Sequence, residues 1–112
     1  MNADKVIAKR TLNLDLPNGT SQAITVYIGA PAPDSNPGGD WICHLKIDGL
    51  PGQWPKVFYG IDSVQALMHV LTLIPTILDS HAREMGATLN WLDTGSHGFP
   101  HTDIGEEQTG ND

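Results

Sequence analysis

The stretch from Asp62 to Gly86 constrains the fold more than any other part of this 112-residue chain. Asp62 can accept an orphan amide at a helix start, and Gln65, three positions on, completes a capping-box arrangement. Gly86 suits the left-handed residue that closes a helix, and Arg83 places positive charge in the last turn. The spacing therefore predicts a helix running to Met85. Pro75 lies inside it, where it removes the bond to the Leu71 carbonyl and bends the axis, at about 3 kcal/mol if nothing compensates. The alternative is two shorter helices meeting there.

At about 100° per residue, Val64, Leu67, Met68, Leu71, Ile74, Leu78, Ala82 and Met85 form one apolar stripe suited to a sheet. Ala66, Val70, Leu73 and Ile77 form a second, flanking stripe. The apolar arc then spans roughly 220°, where a helix lying on a sheet commonly needs about 100–140°. Something must cover the excess: the proline-rich loop with Trp54, the segment around Phe99, or a second copy.

Elsewhere the period is that of strands. Val6, Ala8, Leu12, Leu14 and Leu16 alternate with polar residues, and only Arg10 interrupts the apolar face. Its stem can lie on apolar neighbours while the guanidinium reaches the sheet edge. Pro17-Asn18-Gly19 supplies a turn, after which Ile24, Val26 and Ile28 resume alternation, so a hairpin is expected. The segment from Gly29 to Gly39 reads as a surface loop, because its three prolines lack donors and its glycines favour turns. Trp41, Cys43, Leu45 and Ile47 mark a third strand, Lys56 to Gly60 a short fourth, and Thr88 to Leu92 a fifth. The fifth could join either the first or the fourth.

These elements give an α+β fold: an antiparallel sheet of four or five strands in the order β-β-β-β-α-β, with one long, Pro-kinked helix packed across one face. Residues 1–100 would form the single domain and residues 101–112 a mobile acidic tail, since Ile104 is the one large aliphatic residue there.

Thirteen acidic against six basic residues give a net charge of −7, a field that repels phosphate backbones and anionic headgroups. Nucleic acid and membrane are therefore not the expected partners. Cys43 is the sole cysteine, which fits a reducing compartment, and Met1 to Lys5 lacks the features of a secretory signal. The expected location is cytoplasmic.

Candidate chemistry is sparse. His97, His101 and Asp103, followed by Glu106 and Glu107, could ligate a divalent transition metal, but Gly98 and Pro100 prevent a helix from aligning the imidazoles. Cys43 with His44, His69 or His81 could form a thiolate pair, yet its alternation with Trp41 and Leu45 puts it on the buried face, opposite His44. Ser63 opens the helix without the flanking glycines of a nucleophile elbow. No catalytic residue and no cofactor is implied.

In order along the chain, Ile28-Gly29-Ala30-Pro31, Asp40-Trp41-Ile42-Cys43, Ile47-Asp48-Gly49-Leu50, Tyr59 to Leu67 and Leu89-Asn90-Trp91-Leu92 resemble a group of small bacterial proteins sharing a domain of unknown function. The resemblance reaches about Pro100, implies a bacterial origin and the strands-then-helix layout, and supplies no mechanism. The function expected from the residues is a non-catalytic protein-interaction module, homodimeric through Val70, Leu73 and Ile77 on the helix flank. An immunity-like inhibitor of a basic effector, and a metal-binding protein or enzyme using the tail histidines, are the alternatives.

Overall fold

The computed structural model describes residues 5–35 and 39–100. The elements, in chain order, are β1 (Val6–Asp15), β2 (Ser21–Gly29), β3 (Ala32–Pro33), β4 (Trp41–Asp48), β5 (Lys56–Gly60), α1 (Ser63–Met85) and β6 (Thr88–Asn90). All strand pairs are antiparallel, and one helix covers one face of the sheet, so the fold is α+β as expected.

Register fixes the strand order. At Ile42 the neighbours are Ala32 and Tyr59, and at Leu45 they are Ile28 and Lys56. β3 therefore continues β2 along one edge of β4, while β5 holds the other edge. Across the sheet the order is β5, β4, β2 with β3, β1, β6. The segment expected to be loop throughout thus contributes a short strand. Pro33 is tolerated because it pairs only with Trp41, at the end of the ladder.

Alternation sorts the two faces. Leu12, Leu14, Ile24, Val26, Cys43, Leu45 and Ile47 are buried beneath the helix, while Thr11, Lys9, Tyr27, His44 and Tyr59 lie on the uncovered side. β6 joins β1, with Leu89 opposite Leu14 in the core. It ends at Asn90, earlier than the alternation suggested, because Leu92 and Asp93 both take positive φ, 55° and 59°. Thr94 N–H donates to Trp91 O at 3.1 Å across them, closing a turn of the hairpin-reversing kind.

The helix is one continuous element of 23 residues, with Pro75 inside it. Asp62 Oδ1 accepts the Gln65 N–H at 2.8 Å, and the Gln65 side chain returns to accept the Ile61 N–H at 2.7 Å. Gly86 closes the far end at φ 64°, where a side chain would be strained.

The face the helix buries differs from the expected stripe. The innermost row is Ala66, Val70, Ile74, Leu78 and Ala82, whereas Val64 and Met68 are 61% and 57% exposed. Gly60 of β5 lies so near the first turn that a Cβ there would stand 2.3 Å from the Ala66 nitrogen, so strand and helix backbone meet there with no side chain between them. One groove beside the helix is lined by Trp54 and Ile77, and another by Leu71 and the buried Phe99.

Candidate binding site

Among the described residues, the outer edge of β1 is paired over only part of its length. The hairpin between β1 and β2 is closed by Leu16 N–H donating to Thr20 O at 2.8 Å, and these residues are in register with the ladder from Ala8 to Asp15. In an antiparallel pair, backbone bonding alternates with residue parity. From Ala8 to Leu14 the even-numbered residues of β1 therefore bond β2, and the odd-numbered ones direct both N–H and C=O toward the opposite edge. The 3.1 Å contact between Thr11 Oγ1 and Thr25 Oγ1 fits a pair that is not backbone-bonded, where side chains lie closer.

On that opposite edge β6 pairs only with Asn13, Leu14 and Asp15, although β1 has ten residues. The backbone groups of Lys9 and Thr11 consequently face outward with no strand beside them among the described residues. Beyond Lys9 the register shifts between Val6 and Ala8, a bulge of the kind that bends an edge strand.

Next to this edge, on the helix side of the sheet, lies a groove of about 230 Å³. Ala8, Val26, Ile28, Leu71, Phe99 and Pro100 make its walls largely apolar. Arg10 also lines it, with the guanidinium carbon 3.8 Å from the Trp91 ring centroid and 4.6 Å from that of Phe99. Arg10 Nη1 also donates to His97 O at 3.4 Å. The cation is thus held by two aromatic faces and a carbonyl, and its stem presents hydrocarbon.

His97 anchors the segment that builds this wall. It is 5% exposed; its Nδ1 accepts the Phe99 N–H at 3.0 Å, and its Nε2 lies 3.8 Å from Asp79 Oδ2 on the helix. Its ring is directed into the fold, so the expected ligand set of His97, His101 and Asp103 is not displayed at the surface by its first member. His101 and Asp103 lie outside the described residues. Among the described residues no group of three or more His, Cys, Asp or Glu side chains could hold a metal.

The other candidates are separated by the fold. Cys43 is buried, its Sγ–H donating to Gly29 O at 3.2 Å, and burial pushes its thiol above the ordinary value. His69 Nδ1 lies 2.6 Å from Tyr59 O, and His44 is on the far face of β4, so neither is aimed at the thiol. Of the interface residues expected on the helix, Val70 is fully buried in its own subunit, Ile77 is half-buried against the core, and Leu73 is 38% exposed. Val70 is therefore unavailable to the expected helix-flank contact, because it belongs to the inward row with Ala66 and Ile74, while Leu73 keeps exposed surface.

The open edge was missed because strand recognition reports residues, not neighbours. A ten-residue β1 faces a three-residue β6 followed two residues on by Asp93-Thr94-Gly95, a turn signal. That mismatch was the available clue. No helix among the described residues is long and apolar enough to cross a membrane. The sequence profile of a family described as a domain of unknown function, DUF6968, matches residues 8–101. No curated protein and no solved structure matches the chain.

Proposed function

We propose that this chain, which belongs to the DUF6968 family, is a non-catalytic protein-interaction module that takes up an extended segment of a partner as an added strand along β1. One observation carries the reading: the outward backbone groups of Lys9 and Thr11, unpaired among the described residues and bordered by an apolar groove. Strand addition draws affinity from main-chain hydrogen bonds and specificity from pockets that receive alternate side chains. An incoming strand would set one side chain opposite Lys9 on the uncovered face of the sheet. Its neighbours, opposite Ala8 and Arg10, would fall toward the groove.

The test uses Thr11→Pro. The Thr11 N–H is not part of the ladder with β2, and proline is compatible with an edge strand, so the variant should keep its circular dichroism and melting curve. A fluorescein-labelled octapeptide alternating valine and threonine is expected to bind the native chain and to lose at least tenfold in affinity for Thr11→Pro. Equal affinities for the two proteins would refute strand addition at this edge.

A further inference from the structure

We infer that the segment accepted along β1 is acidic on the side facing Lys9 and apolar on the side facing the groove, and that it comes from a different protein and not from a second copy of this chain. The inference rests on the strand-addition reading and adds the chemistry of the guest.

Charge supplies the first argument. The chain carries −7 overall, yet three of its six basic residues, Lys5, Lys9 and Arg10, fall just before β1 or in its first half. The Arg10 charge is engaged by the Trp91 and Phe99 rings and by His97 O. Lys9 is exposed on the uncovered face, and among the described residues no carboxylate lies within ion-pair distance of it. Opposite charges facing each other across two strands attract, and like charges repel, by roughly 0.2–1 kcal/mol per pair. An acid on the guest opposite Lys9 is therefore favoured over a base.

The groove supplies the second argument. Guest side chains flanking that acid point to the helix side of the sheet, where Ala8, Ile28, Leu71 and Phe99 offer apolar contact. Alternation of acid and aliphatic residue is thus the pattern the edge would select.

The same residues argue against self-pairing. Two copies of β1 joined antiparallel about a twofold axis would bring Lys9 opposite, or diagonal to, Lys9 of the other copy, and would bring together two molecules of charge −7. Edge lysines and a bulge are devices by which natural sheets discourage such pairing.

The experiment compares two fluorescein-labelled octapeptides, one alternating valine and glutamate, the other valine and lysine, by anisotropy on the native chain, Lys9→Glu and Thr11→Pro. The native chain is expected to bind the glutamate peptide about tenfold more tightly than the lysine peptide. Lys9→Glu should cancel or invert that ratio, and Thr11→Pro should weaken both peptides. Equal binding of the two peptides to the native chain, both lost in Thr11→Pro, would overturn the acidic preference while leaving strand addition in place. Binding of both that Thr11→Pro leaves unchanged would overturn the strand-addition reading itself. A native dimer in light scattering that Thr11→Pro converts to monomer would assign the edge to a second copy and overturn the inference.

Discussion

Cys43 shows how far one residue can be read from its neighbours. Alternation placed it on the buried face, and there it lies, with its Sγ–H bonded to Gly29 O. Burial raises its pKa above 9.0 because the thiolate would lose its hydration. The folded state therefore holds the proton more tightly than the unfolded chain. The stabilising contribution is complete below the unfolded value and is lost as pH rises through the higher folded value. Urea midpoints followed from neutral to alkaline pH should fall more steeply for the native chain than for Cys43→Ala, and parallel slopes would contradict this. Arg10 was legible to the same depth: its place on the helix side of the sheet, among apolar neighbours, followed from alternation. Its partners did not, for His97, whose carbonyl it bonds, lies 87 positions along the chain. Val70 was misplaced because a helical wheel does not show which of two adjacent apolar stripes the sheet will meet, and the row of Ala66, Val70 and Ile74 is the one buried.

At the level of elements, start and stop signals were the most readable part of the chain. Asp62, Gln65 and Gly86 bound the helix where their chemistry required, since each satisfies backbone groups that the helix cannot satisfy itself. Strand pairing was less accessible, because a strand's sequence is silent on what lies beside it. Two residues of β3 form where prolines argued for loop, and β6 stops short of its apolar pattern. The alternation of backbone bonding along β1 has a consequence independent of any guest. In native-state amide exchange, Lys9 and Thr11 should exchange markedly faster than Ala8, Arg10 and Leu12, whose N–H groups bond β2. Uniform protection across these five amides would mean that the edge is already occupied.

Across the whole molecule, net charge and local charge oppose each other at the proposed site. An acidic peptide approaching from afar meets the field of a −7 protein, and only on contact does it meet Lys9. Salt screens the first effect more than the second, since the Debye length shrinks from about 30 Å at 0.01 M to about 8 Å at 0.15 M. Stopped-flow association of the valine-glutamate peptide should accordingly quicken over that range, with its advantage over the lysine peptide expressed in slower dissociation. An association rate that falls with added salt would show that the basic edge governs even the distant approach. Composition announced the overall acidity but could not place its exception: the clustering of Lys5, Lys9 and Arg10 is visible in the sequence, whereas its position on an unaccompanied edge is not.

That edge exists because of two residues that take no part in it. Leu92 stands 74% exposed in a left-handed conformation that costs a leucine roughly 1 kcal/mol or more, and Asp93 follows it. Were these two residues extended, the sixth strand would travel on beside the first, and its own amides would zip shut the row that now looks outward. The handedness of one short reversal thereby sets the width of the doorway, and a change made there would alter what can enter without touching any group a visitor meets.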